Sequence, residues 1–183
     1  AGEPLNPEAM RAWENATGCK IYEGYGQTET TILVSNFPGM EIRPGSMGKP
    51  CPAFTIDIID DNGTVLDEGD IGHIGVKITK PYPPGLFKGY LGDVTKTKEV
   101  FRNGWYYTGD TAKKDADGYI WFVGRSDDII SSAGYRISPF EVESTLVEHP
   151  AVAESAVIAK PDSLRGEIVK AYITLGNGYT PSE

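Results

Sequence analysis

The chain has 183 residues, 39% apolar and 23% charged, which is enough apolar material for a core of one or two domains and too much for a disordered chain. Seventeen basic against 26 acidic residues give a formal charge of −9 without a Lys/Arg cluster, so a nucleic-acid or anionic-membrane surface is disfavoured, and no apolar run approaches the ~20 residues of a membrane span. Cys19 and Cys51 stand in no metal or redox spacing and read as reduced thiols, while His73 and His149 alone give little material for a histidine relay.

Ala1 opens the chain with no initiator Met and no signal-peptide pattern. Asn6 and Pro7 predict a helix running through Met10 and Trp13 and stopped by Gly18. Lys20-Ile21-Tyr22 predicts a short strand leading into a loop from Glu23 to Glu29. From about Gly39 the texture turns β-rich. Thr55 to Asp60 alternates, Asp61-Asn62-Gly63 signals a turn, and Gly75 to Thr79 reads as a strand. The run Pro81-Tyr82-Pro83-Pro84-Gly85 breaks regular structure and predicts a surface loop. Two further strands, around Trp105 to Tyr107 and Tyr119 to Val123, flank Asp115 to Gly118.

After the polar run Gly124 to Asp128, Ser138-Pro139-Phe140-Glu141 forms a capping box for a helix ending before His149-Pro150. Strands from Val152 to Ala159 and from Glu167 to Leu175 follow, with Lys160 to Gly166 as the connection between them. Thr180-Pro181-Ser182-Glu183 is again a helix start, with no helix behind it, and predicts a chain cut as its next element begins. A boundary near residue 125 separates a β-dominated module from a small α+β module.

Three stretches have the composition of a ligand site. Glu23 to Glu29 packs glycines, a phenol, an amide, a hydroxyl and two carboxylates into seven residues. It is either an ordinary turn or a close backbone approach to an anion beside a carboxylate for a hard cation. Asp110, after Tyr107-Thr108-Gly109, either caps a turn or accepts hydrogen bonds from two vicinal hydroxyls. Arg125 either pairs with neighbouring carboxylates or reaches a ligand. In Ser131 to Arg136 the small residues would let a narrow substrate pass, Arg136 would meet a phosphate and Tyr135 a base; the same run is also a plain glycine turn. Arg165 is a solvated loop cation or a phosphate contact. No GxxxxGK[ST], GxSxG or zincin motif occurs, so a hydrolase built on the histidines is a poor reading.

Taken in order, Ala1-Gly2-Glu3-Pro4-Leu5, Tyr25-Gly26-Gln27-Thr28-Glu29, Tyr107-Thr108-Gly109-Asp110, Gly124-Arg125-Ser126-Asp127-Asp128 and Gly134-Tyr135-Arg136-Ile137-Ser138-Pro139-Phe140-Glu141 resemble the AMP-forming acyl-CoA synthetases of the adenylate-forming superfamily. The wording around Gly134 and Arg165 is most similar to the acetyl- and medium-chain types. The resemblance implies an α+β fold: residues 1–124 as the end of a large AMP-binding domain with a barrel-like β subdomain, 125–127 as a hinge, and 128–183 as part of a small C-terminal domain.

By that resemblance, ATP and a carboxylic acid give an acyl-adenylate, and CoA then displaces AMP. Gly2, Glu3, Pro4, Glu23, Gly24, Tyr25 and Gly26 would line the adenine pocket and part of the acyl pocket, and Gln27 would also bind ATP or AMP. Thr28 would contact the α-phosphate and the acyl carboxylate and Glu29 would help hold Mg²⁺, the two acting with Arg136 as the catalytic residues, while Asp110 and Arg125 would bind the ribose. Asp127 matches the hinge, Ala133, Gly134 and Tyr135 border the pantetheine channel, Arg136 approaches a phosphate, and Arg165 meets the CoA nucleotide. The family's phosphate loop and its PxxxxGK lysine are absent from these residues, which implies an internal segment that is catalytically incomplete by itself. Two other readings stay open: a non-catalytic nucleotide- or CoA-binding module, and an adenylation domain loading a carrier protein. The cysteines point to the cytoplasm, with the mitochondrial matrix as the alternative if a presequence precedes the segment.

Overall fold

Asn6 sets the start of the first helix, α1 (Pro7–Thr17): its side chain accepts from Glu8 N at 2.8 Å, and Pro7 fills the first turn, where no N–H is needed. Gly18, at φ 70°, ends it by donating its N–H to Glu14 O at 2.8 Å. The computed structural model describes residues 5–181, so the expectations for Gly2, Glu3, Pro4, Ser182 and Glu183 lie outside the described residues.

The strand predicted at Lys20 to Tyr22 is not formed. The chain pairs instead at β1 (Gly24–Gly26), antiparallel to β2 (Ile32–Ser35), which in turn pairs with β3 (Lys49–Pro50). Side-chain propensity favoured Ile21 and Tyr22, but pairing is decided by backbone approach. A Cβ at Gly26 would lie 2.3 Å from Thr31 O, so only glycine lets the two strands meet there.

A five-stranded sheet follows, built from β4 (Ile56–Ile59), β5 (Gly72–Lys77), β6 (Phe101–Arg102), β7 (Trp105–Lys114) and β8 (Ile120–Arg125). Its order is β4-β5-β7-β6, with β8 pairing β7. The turn after β4 forms as expected: Asp60 Oδ1 accepts from Asn62 N and Thr64 N at 2.9 and 2.8 Å, and Gly63 takes φ 83°. A short helix, α2 (Val94–Val100), capped by Asp93, leads into β6 and has no counterpart in the sequence reading. Leu33, Val34, Ile58, Ile74, Val76, Tyr106 and Ile120 are all at most 1% exposed and form the core.

The chain divides into two compact units, Ala1–Phe122 and Val123–Glu183. The second is a four-stranded sheet of order β10-β9-β12-β11, made of β9 (Ile130–Ser132), β10 (Tyr135–Ile137), β11 (Val152–Asp162) and β12 (Gly166–Leu175). Its helix, α3 (Pro139–Val147), begins at Ser138, which accepts from Glu141 N at 3.1 Å and donates to Val123 O. The helix is tied to β11 by Ser155 Oγ donating to Glu143 O at 3.1 Å and Val157 N donating to Glu143 Oε1 at 2.7 Å.

The seven-residue connection predicted between the last two strands is wrong. The strands run on to Asp162 and resume at Gly166, because Asp162 Oδ1 accepts from Leu164 N and Arg165 N at 2.9 and 2.8 Å and closes a tight turn. Pro161 misled the reading: it sits within the ladder near the hairpin end. The expected α+β class is the one observed.

Candidate nucleotide and anion site

Gly109 takes φ 82° within β7, where the ladder to β5 shifts register between the Tyr107–Gly75 and Thr111–His73 pairs, so the strand bulges beside Thr108 and Asp110. Thr108 Oγ1 donates to Ile74 O at 3.1 Å and accepts from Asp110 N at 3.2 Å, which fixes the backbone under the carboxylate. Asp110 is only 5% exposed. Its Oδ2 accepts from Tyr25 OH at 2.6 Å and from Gln27 Nε2 at 2.8 Å, and Gln27 also donates to Thr108 O at 2.9 Å. Tyr106 OH completes the set by donating to Gln27 Oε1 at 2.9 Å. A carboxylate taken this far out of water is stabilised by such charge-assisted bonds.

Burial, and then the adjacent Asp110 charge, hold the Tyr25 phenol well above its ordinary range, so it stays protonated and donating. Burial likewise raises the Glu23 carboxyl, opposed by the hydrogen bond from Leu5 N at 3.3 Å. Glu23 is anchored through its backbone, its N–H donating to Asn36 Oδ1 at 2.9 Å and its carbonyl accepting from Asn36 N at 2.9 Å.

Thr28 is exposed and Glu29 half-buried. Glu29 Oε1 accepts from Tyr90 OH at 3.0 Å, and Glu29 O accepts from Phe87 N at 2.8 Å. No group of three or more His, Cys, Asp or Glu with metal-site geometry occurs among the described residues. A lone carboxylate still fits Mg²⁺, which binds through one or two carboxylates, its own waters and substrate phosphates.

The structure therefore brings together Tyr25, Gln27 and Asp110, residues up to 85 positions apart. Tyr106, Thr108 and Tyr90 were missed as contributors. The first two lie just before Asp110 on β7, near enough in sequence to be considered with it; nothing local marks Tyr90.

In the second unit, Arg125 Nε donates to Asp127 Oδ1 at 3.2 Å. The Asp127 carboxyl lies below its usual range, first through its own amide N–H and then through Arg125. Ala133 at φ 49° and Gly134 at φ 87° make the β9–β10 turn, and Ala133 N donates to Arg165 O at 2.9 Å. These residues border an open cavity of about 450 Å³ lined by Ser132, Ala133, Tyr135, Arg136, Ile137 and Arg165. Two exposed guanidiniums and the 74%-exposed Tyr135 give it the character of a site for an anion with a flat or narrow body.

Residues 1–91 match the family model of the AMP-binding enzymes, and residues 141–183 match that of the AMP-binding enzyme C-terminal domain. The chain is 56% identical over 179 residues to the acyl-coenzyme A synthetase ACSM3, mitochondrial, of Rattus norvegicus, covering 98% of this chain and 31% of that protein. It is 53% identical over 184 residues to 4-hydroxybutyrate–CoA ligase 1 of Metallosphaera sedula, covering 100% and 32%. Among solved structures, the anthranilate CoA ligase AuaEII in complex with anthranoyl-AMP superposes with a TM-score of 0.88 at 42% identity, over 100% of this chain and 34% of that one. ATP-bound MatB from Rhodopseudomonas palustris gives a TM-score of 0.90 at 37% identity, over 99% and 35%. The chain belongs to the adenylate-forming, AMP-binding enzyme family, as the order of its motifs implied. It spans about a third of the length of these relatives.

Proposed function

We propose that this chain is the adenosine-binding and CoA-facing portion of an AMP-forming acyl-CoA synthetase. In the reaction a carboxylate oxygen attacks the α-phosphorus of ATP, releasing pyrophosphate; the CoA thiol then attacks the acyl carbon, releasing AMP and a proton. Neither step needs a side-chain nucleophile. Positioning and neutralisation of phosphate charge lower the barrier, in keeping with a chain poor in histidine and cysteine.

The observation that carries the reading is the buried Asp110 carboxylate, oriented by Tyr25 and Gln27. A fixed acceptor of this kind suits a pair of vicinal hydroxyls, and we assign it the ribose; for Arg125 a ribose contact rests on family likeness alone. In this assignment Gln27 acts mainly by holding Asp110, since both ends of its amide are engaged. The Glu23 to Gly26 segment lines the adenine, as Gly2, Glu3 and Pro4 do by family likeness. Thr28 donates to the α-phosphate. Glu29 would hold Mg²⁺, which supplies neutralisation of the phosphate charge when bound. Ala133, Gly134 and Tyr135 border the path of pantetheine, with Arg136 and Arg165 for phosphates.

We assign residues 1–124 to the large domain, 125–127 to the hinge around Asp127, and 128–183 to the small domain. The compartment would be the cytoplasm or, in line with the mitochondrial names of several relatives, the mitochondrial matrix. No helix among the described residues is long and apolar enough to cross a membrane.

The test is formation of acyl-CoA and AMP by the enzyme that contains this segment, over a panel of short- and medium-chain acids. Stoichiometric, acid-dependent release of AMP and pyrophosphate is expected. ADP and phosphate as products, or transfer to a carrier-protein thiol with CoA inert, would overturn it.

A further inference from the structure

Tyr90 stands outside every stretch that the functional reading uses, yet its phenol reaches the Glu29 carboxylate. It lies five residues beyond the Pro81–Gly85 run, in the connection between β5 and α2. Its placement is heavily determined. Tyr90 N donates to Thr97 Oγ1 at 2.9 Å, and Thr97 Oγ1 in turn donates to Asp93 O at 2.8 Å. The ring packs edge-on against Phe87 with centroids 5.0 Å apart, and Lys96 Nζ sits 4.6 Å from its centre. Gly89, at φ 142°, brings the chain so close to Thr97 that a Cβ there would lie 2.7 Å from its methyl group. A second tie joins the same loop to the same residue, Phe87 N donating to Glu29 O at 2.8 Å.

A glutamate has three side-chain torsions, and holding its head in one orientation costs rotamer entropy each time it binds a cation. The phenol at 3.0 Å from Oε1 removes that freedom beforehand, and Oε2 accepts no hydrogen bond from the described residues. We infer that Tyr90 is a positioning residue that pins Glu29 through Oε1 and presents Oε2 to a divalent cation carried by a nucleoside triphosphate. The inference rests on the reading of Glu29 as the cation contact. Through Tyr90, α2 and its capping Asp93 become the rigid support of the phosphate end of the site. Outer partners of this kind typically change cation affinity by about 10-fold or more when removed.

The experiment measures Mn²⁺ binding in the presence of ATP by electron paramagnetic resonance, on the enzyme that contains this segment. Wild type, Tyr90→Phe, Glu29→Gln and the double variant are compared, with thermal melting of each. Tyr90→Phe keeps the ring and its packing and loses one hydrogen bond to a half-buried carboxylate, so a melting temperature lowered by no more than about 4 °C is expected alongside a Kd for Mn²⁺ raised about tenfold. In the double variant the Tyr90 change should add nothing to Glu29→Gln, because its effect passes through that carboxylate. A Kd within twofold of wild type, or fully additive effects, would overturn the inference. Normal Mn²⁺–ATP binding without acid-dependent pyrophosphate release would instead overturn the functional reading while leaving the Tyr90 comparison valid.

Discussion

Asp110 and Arg165 carry their charges in opposite ways. Asp110 is sunk in the first unit at 5% exposure, with two donors on one oxygen and its backbone locked by Thr108. Arg165 lies exposed on a hairpin turn of the second unit, held through its carbonyl by Ala133 N while its side chain reaches outward. The same contrast runs through both units. Tyr106, Leu33, Ile58 and Ile74 build a dry core in the first, whereas α3 in the second has no buried residue, and among the described residues there the buried apolar side chains are Val123, Ile130 and Val157. A rigid acceptor suits a ligand that must be held in one pose. Long cations on a glycine turn suit one that must slide in and leave.

The sharpest way to break this comparison is at glycine. A Cβ on Gly48, at φ 96°, would lie 2.2 Å from Ser35 O, so Gly48→Ala should cost more than about 4 kcal/mol and unfold the first unit at modest denaturant. Gly134, at φ 87°, has nothing within 4 Å of the added atom; Gly134→Ala should cost about 1 kcal/mol and leave the fold intact. Denaturant melts of the two variants decide this, and equal losses would contradict the picture of a tight first unit and a loose second.

Intermediate effects are expected at the hydroxyls. Tyr25→Phe leaves Asp110 with one fewer donor and should lower stability by about 1–3 kcal/mol, since its partner is a buried charged group. Ser138→Ala removes the α3 cap and should cost about 1 kcal/mol by the same measurement.

How far these features could be read beforehand depends on whether they are local. α1 and α3 were legible because Asn6-Pro7, Gly18 and Ser138-Pro139 each act on the adjacent backbone. The β9 and β10 strands and the short β2 and β3 were not, because nothing in three or four residues encodes a distant partner. Asp110 and Tyr25 stand out in the sequence only as members of separate motifs; that they hydrogen-bond each other follows from the fold. Tyr90 was invisible for the same reason, its hydrogen-bond partner Glu29 lying 61 positions away.

The smallest expected effects are those of pH, and they have opposite signs in the two units. Burial raises the folded-state pKa of Glu23, so the folded protein keeps that proton longer than the unfolded chain does. Stability from this group is then highest below its unfolded pKa and declines as pH rises through the folded value. Glu23→Gln should be more stable than wild type at neutral pH, by less than the Tyr25→Phe loss. Asp127 has a lowered folded-state pKa, so its contribution is present above the unfolded pKa and is lost as pH falls through the folded one. Asp127→Asn should flatten the acid side of the stability profile, and denaturant midpoints from pH 3 to 8 show both.

The roles proposed for Asp110 and Arg165 are tested most directly by separating the half-reactions in the enzyme that contains this segment. Acid-dependent ATP–pyrophosphate exchange reports adenylate formation, and single-turnover transfer from pre-formed acyl-adenylate to CoA reports the thioester step. Asp110→Ala should depress exchange by roughly 100-fold or more, in line with loss of an oriented polar contact in a buried site. Arg165→Ala should leave exchange within about twofold and slow the CoA step alone. Equal losses in both steps from Arg165→Ala, or an unimpaired exchange from Asp110→Ala, would contradict the account.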